Sequence, residues 1–227
     1  MDTVILAAGR GSRLAGIAAP FHKPLMVVNG QPLISSAVHT AYSATQDARV
    51  IVVAAPENAQ PIASILSHSG VPYLMAVQPY PLGPGDALQV GLEMARSGDV
   101  MVLMGDNTFD TREVSQMVID HRSTGARLSV GGHEMLIEDA ERFTWLHDGV
   151  WREKTRPDFD YTNALKPFVW IGPVIIDRDR AYDWLSVQGR GNGRELAISP
   201  LFNEFTREET KLCSVSSVDI GVPEALS

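Results

Sequence analysis

A single cysteine, Cys213, excludes an intrachain disulfide and any cysteine-based zinc site. No apolar run approaches the roughly 20 residues that a helical membrane span needs. Positive charge is also short. The 19 Lys and Arg are outnumbered by 27 Asp and Glu, giving a formal net charge of −8, the wrong sign for a general nucleic-acid binder. The histidines, His22, His39, His68, His121, His133 and His147, have no His-x3-His spacing and read as packed or surface residues. Trp145, Trp151, Trp170 and Trp184 read as core or pocket walls. The N-terminus runs almost at once into TVILAAG, without the basic segment of a secretory leader, so a cytoplasmic protein is the expectation.

What is present is ordinary globular composition, 44% hydrophobic and 20% charged over 227 residues. That is enough chain for one large α/β domain with a substantial core. Short apolar runs alternate with helical spacing through the first half. Strands are expected at 3–7, 48–56, 72–77, 99–106 and 127–132. Helices are expected from about Pro32, over 58–68, over 85–96, and from Thr111, as N-cap, to His121. This alternation predicts a doubly wound, mostly parallel, Rossmann-like sheet. Ligands in such sheets bind beyond the carboxyl ends of the strands, which directs attention to the residues after Ala7, Val77 and Gly105. The second half reads as a smaller mixed β portion. It has a hairpin over 143–154 turning at Asp148-Gly149 and a long strand over 166–177 interrupted at Gly172-Pro173. Helices over 178–186 and 195–206 and a last strand over 211–216 follow. One domain is expected, with a nucleotide half over 1–132 and a sugar half over 133–227.

The run LAAGRGSRLAG, 6–16, follows the first strand. Gly9 and Gly11 let backbone N–H groups approach an anion without a Cβ in the way, and Arg10, Arg13 and Lys23 add cations. A triphosphate needs both. A Walker loop would need Lys-Ser or Lys-Thr after its last glycine, and a dinucleotide fingerprint would need glycine where Leu14 stands.

LAAGRGSRL followed by KPLMVVNGQPLI, 23–34, resembles the sugar-1-phosphate nucleotidylyltransferase family, whose pattern is LAAG-x-G-[ST]-R-[LM], then PKPL and a G-x-P turn into a helix. His22 replaces the proline before lysine, and the stretch between Leu14 and Lys23 is shorter than usual. The resemblance implies that Leu6, Ala7, Ala8, Gly9, Gly11 and Ser12 bind the nucleotide, with Gly9 and Gly11 cradling its phosphates. It implies that Arg13 grips the departing pyrophosphate and Lys23 stabilises the α-phosphate. In length the chain is similar to compact uridylyl- and thymidylyltransferases, such as those acting on N-acetylmuramic acid 1-phosphate and glucose 1-phosphate.

Gln78 stands just after a strand, and its amide can both donate and accept, which suits a pyrimidine edge. Gln78 and Gly83 match the Gln-x4-Gly spacing with which uridylyl- and thymidylyltransferases of the family read the base. Asp86 reads as a cap opening the following helix. Asp106 ends the apolar strand 99–106. Taken alone, Gly-Asp there is more often a turn than a metal ligand. Asp219 lies in SVDIGVPEAL, which resembles the family's second acidic segment. Two carboxylates from distant loops can hold one hard cation, and the resemblance implies Mg²⁺ on Asp106 and Asp219. REKTRP, 152–157, resembles the family's V-E-K-P strand, implying Glu153 on a sugar hydroxyl and Lys154 on the sugar phosphate, although Thr155 replaces the proline. Glu195 is a further sugar-contact candidate, or an acid opening a helix.

The activity so implied is transfer of a nucleotidyl group from a pyrimidine triphosphate, UTP or dTTP, to a sugar 1-phosphate, with release of pyrophosphate. Its partners are the two substrates, without nucleic acid or membrane, and a homo-oligomer is compatible with the sequence. Two rivals stand beside it: a cytidylyltransferase for a polyol or choline phosphate, and a non-catalytic nucleotide-sensing domain.

Overall fold

The protein is described by a computed structural model over residues 1–9, 22–46, 48–140, 142–154, 165–188 and 195–219, the last three by their backbone. In chain order the elements are β1 (Asp2–Ala7), β2 (Val27–Val28), β3 (Gln31–Pro32), α1 (Leu33–Thr45), β4 (Val50–Ala54) and α2 (Pro56–Leu66). Then come β5 (Tyr73–Val77), α3 (Pro84–Met94), β6 (Asp99–Met104), β7 (Asn107–Phe109), α4 (Thr111–Thr124), β8 (Leu128–Glu134) and α5 (Ile137–Ala140). The last are β9 (Thr144–His147), β10 (Val150–Glu153), β11 (Phe168–Asp177), α6 (Arg178–Gln188), β12 (Thr210–Ser214) and β13 (Ser217–Asp219).

β1 and β4 are buried at every residue because they run through the middle of the sheet with helices on both sides. β5, β4, β1 and β6 are parallel, and β11 then joins β6 antiparallel. β11 also pairs with β8 and β9, which carry β12 and β10 respectively, so one nine-stranded sheet runs through both halves of the chain. The alternation of side chains along β1 divides the core. Val4 and Leu6 pack with Leu88 and Leu92 of α3 and Leu185 of α6. Ile5 and Ala7 pack with Ile34 and Val38 of α1, Ile62 of α2 and Val118 of α4. That is the doubly wound, mostly parallel core expected from the sequence. Among the described residues no helix is long and apolar enough to cross a membrane.

Local chemistry explains the turns. Asn29 and Gly30, and again Asp148 and Gly149, adopt positive φ, the two-residue hairpin turn that follows the right-handed strand twist. The interruption of β11 is a register shift between Trp170 and Val174, at the expected Gly172-Pro173. Three expectations need correction. The N-cap of α4 is Asp110, whose Oδ1 accepts from Arg112 N at 2.7 Å, while Thr111 Oγ1 lies 3.1 Å from Thr40 Oγ1. No helix covers 195–206: residues 195–197 are irregular and a 3-10 turn follows at Ser199–Glu204. Asp219 ends a short strand, β13, rather than lying in a loop.

His121, on α4, is 1% exposed. Its Nδ1 lies 2.9 Å from Ser129 Oγ, and its Nε2 lies 3.6 Å from Asp99 Oδ2, too far for a good hydrogen bond. Burial lowers its pKa below the usual 6.5, an effect that the nearby Asp99 carboxylate only partly reverses. The unfolded chain therefore takes up this proton first. The stability it contributes is complete above about pH 6.5 and is lost as pH falls through the folded value. Urea midpoints should fall between about pH 7.5 and pH 5, and His121→Gln should flatten that slope. An unchanged slope in the variant would contradict the assignment.

Candidate active site

The carboxyl ends of β1, β4, β5 and β6 meet at one edge of the sheet, and most of the candidate residues that are described gather there. The end of β1 is fixed from two sides. Asn58, fully buried near the start of α2, donates from Nδ2 to Ala7 O at 2.8 Å and accepts from Ala55 N at 2.7 Å. One side chain thus joins the end of β1 to the end of β4. On the other flank Gly105 N donates to Leu6 O at 2.9 Å. A Cβ on Gly105 would lie 3.0 Å from Leu6 O, so the turn that carries Asp106 sits close against β1. Leu6, Ala7 and Ala8 are buried at this junction and Gly9 is exposed just beyond it. Gly11, Ser12 and Arg13 lie outside the described residues.

Lys23 opens a single 3-10 turn, Lys23–Leu25, that leads through the β2–β3 hairpin into α1. Its Nζ is 3.7 Å from Asp106 Oδ2, with both side chains partly exposed. Thus the α-phosphate candidate and the metal-ligand candidate, far apart in sequence, stand side by side. Beyond Asp106, β7 pairs antiparallel with β13, and Asp219 is the Cα partner of Asn107. The backbone therefore carries Asp219 to the strand position opposite the residue that follows Asp106. Glu113 of α4 steers the chain toward β13, since its Oε2 accepts from Ser216 N and Ser216 Oγ at 2.7 and 2.6 Å. Asn107, 8% exposed, donates from Nδ2 to Ile171 O at 3.0 Å and so ties this corner to the irregularity in β11. Asn58, Asn107 and Glu113 were not anticipated from the sequence. Each acts through a partner far along the chain, and the only signal was a polar residue inside or beside an apolar element.

The base-reading candidates are equally fixed. Gln78, 4% exposed, follows β5 and lines a narrow crevice with Ala8, Ala55 and Glu57. Its Nε2 donates to Gly83 O at 3.0 Å and to Asp86 Oδ2 at 2.8 Å. Asp86 is therefore more than a surface helix cap. Gly83 is the N-cap of α3 at φ 94°, where a Cβ would come within 2.7 Å of Leu196 N. Glycine is needed here to admit the 195–197 segment. That segment is clamped by Leu196 N to Leu82 O and by Gly85 N to Leu196 O, both at 2.7 Å. Glu195 is thereby set beside Gly83, at the loop that carries the base-reading candidates.

Glu153 ends β10 opposite Thr144 of β9, which pairs in turn with Trp170 of β11. This row of three strands puts Glu153 about 10 Å from β11, at two strand spacings. The row lies at the end of β11 nearest Ile171, the partner of Asn107. Lys154 follows, exposed and at positive φ, with its N–H donating to Phe143 O at 2.9 Å. A separate cleft of about 770 Å³ around the β9–β10 turn is walled by Trp151, Lys166, Phe168 and Arg207 and contains none of the candidate residues.

Asp106 stands in the turn before β7 and the Asp219 backbone lies opposite Asn107, so the two residue types brought to this corner are ones whose carboxylates suit a small divalent cation completed by phosphate and water oxygens. Among the described residues no group of three His, Cys, Asp or Glu forms a self-sufficient metal cage.

Comparison with known proteins bears on the family and the fold. A glucose-1-phosphate thymidylyltransferase from Neisseria gonorrhoeae is 31% identical over 147 residues, covering 63% of this chain and 50% of that protein. The chain spans about half the length of the curated thymidylyltransferases it matches. A solved Bacillus anthracis protein in complex with sucrose has the same fold at a TM-score of 0.81, with 21% identity, over 100% of this chain and 92% of that one. The fold of UDP-glucose pyrophosphorylase complexed with UDP-glucose matches at 0.74, with 18% identity, over 99% of this chain and 94% of that one. Residues 3–198 match the MobA-like NTP transferase domain, and the chain belongs to that family.

Proposed function

We propose that the chain is a sugar-1-phosphate nucleotidylyltransferase that joins UTP or dTTP to a sugar 1-phosphate and releases pyrophosphate. The observation that carries the reading is the meeting of Lys23 and Asp106, 3.7 Å apart at the carboxyl end of the parallel strands. A phosphate oxygen of the sugar attacks the α-phosphorus in line, the bond to the β-phosphate breaks, and no covalent enzyme intermediate is needed. The protein positions the reactants and offsets charge. Lys23 stabilises the α-phosphate as its charge grows. Arg13, outside the described residues, takes the role that the resemblance implies, on the departing pyrophosphate. Lys154 binds the phosphate of the sugar, while Glu153 and Glu195 take its hydroxyls. Gln78 and Gly83 face the base. Asp106 and Asp219 would hold Mg²⁺, which when bound neutralises and orients the phosphates. The protein works in the cytoplasm in this reading.

A pyrophosphate-release screen crossing five nucleoside triphosphates with a panel of sugar 1-phosphates tests the proposal. Release with UTP or dTTP and at least one sugar 1-phosphate is expected. Release only with polyol or choline phosphates would move the assignment to the cytidylyltransferase reading. Nucleotide binding without release from any pair would favour a sensing domain.

A further inference from the structure

The side-chain amide of Gln78 is held in one orientation. A carboxamide nitrogen has two hydrogens, and those of Gln78 Nε2 go to Gly83 O at 3.0 Å and Asp86 Oδ2 at 2.8 Å. Only Oε1 is left to meet a ligand. Turning the amide over would set Oε1 against a carbonyl and a carboxylate oxygen, neither of which can donate. Asp86 is itself 4% exposed, held in the first turn of α3, so the arrangement is buried and costly to leave half-satisfied. Gln78 therefore presents an acceptor to the crevice beside Ala8, and not the donor-and-acceptor pair expected from its residue type.

We propose that Asp86 is the positioning residue that sets nucleotide choice, by fixing Gln78 with its carbonyl oxygen toward the base. This rests on the reading of Gln78 as base-facing. Uracil and thymine carry an N3–H that Oε1 can accept. Cytosine N3 and adenine N1 are acceptors, so they set two lone pairs face to face. With Oε1 opposite N3 rather than the exocyclic group at C4, the site takes UTP or dTTP and rejects CTP. It does so through a residue that need not touch the nucleotide.

Calorimetric binding of UTP, dTTP and CTP with magnesium, without sugar phosphate, separates the outcomes. The wild type should favour UTP over CTP by about 10²-fold, the scale on which buried polar mismatches discriminate. Asp86→Asn has the same size but can donate as well as accept, so only Gly83 O still opposes turning the amide over, and the ratio should fall about tenfold. A folded Asp86→Asn protein that keeps the wild-type ratio overturns the inference and leaves the Gln78 assignment standing. A wild type without a uracil or thymine preference overturns both. Should the variant fail to fold, wild-type binding of 3-methyl-UTP, which lacks the N3–H, decides: affinity as poor as that of CTP is expected, and affinity equal to that of UTP overturns the inference. A protein that binds UTP selectively but releases no pyrophosphate sinks the proposed activity while leaving the inference intact.

Discussion

Asp106→Asn is expected to fold normally and to lose at least ~10²-fold in the rate of pyrophosphate release, the scale of removing one electrostatic stabiliser from a transition state. The substitution keeps the shape of the side chain and removes its charge. The Asp106 carboxylate is partly exposed, at 26%, in the turn after Gly105, so it carries little of the core, and the melting temperature should move only slightly. What changes is the chemistry of the corner. A neutral amide in place of the carboxylate would be a weaker ligand for a hard cation and would no longer balance the Lys23 ammonium 3.7 Å away. The magnesium concentration for half-maximal rate should therefore rise along with the loss in kcat. Near-normal turnover by the folded variant would contradict the placement of the reaction at this corner.

Asn58→Ala should be the damaging change in the support of the site. It removes two hydrogen bonds at once and leaves Ala7 O and Ala55 N unpaired in a fully buried place. Each unmet backbone group costs about 1–3 kcal/mol, so a loss of about 2–6 kcal/mol is expected for the two. For a chain of this size that corresponds to a fall in Tm of roughly 4–24 °C. Asn58→Asp keeps the acceptor for Ala55 N but cannot donate to Ala7 O from a carboxylate, and it should also destabilise. Thermal melts of the two variants check this. A Tm for Asn58→Ala within a degree or two of wild type would show that the two strand ends do not depend on this bridge.

Much of this was legible along the chain. The central strands were visible because parallel strands buried on both faces leave uninterrupted apolar runs, as in β4 and β6. The helices of the first half were visible from their spacing, and the β9–β10 turn from Asp148-Gly149. Short or irregular pieces were not. β7 and β13 have three residues each, too few to show a period, and exist because each pairs with the other. The 195–206 stretch has helix-forming residues, yet the close approach of Leu196 to Gly83 and Gly85 holds its start in an irregular path. The N-cap of α4 shifted by one residue because Asp110 and Thr111 are both good capping residues, and sequence does not say which one faces the first turn.

Composition and spacing supply the inventory: a doubly wound parallel core, a glycine-rich segment after the first strand, Lys23, Gln78, two separated aspartates, and a family resemblance that the match over residues 3–198 bears out. Those features are local, written in composition and spacing, and need no knowledge of what lies opposite. How the pieces meet depends on the folded chain. It set Lys23 against Asp106, brought the β13 backbone alongside β7, made Asn58 the bridge between two strand ends, and turned the Gln78 amide through Asp86. Hydrogen bonds and ion pairs act over a few ångströms, and their partners here come together only when distant parts of one sheet and its helices are folded around the same edge.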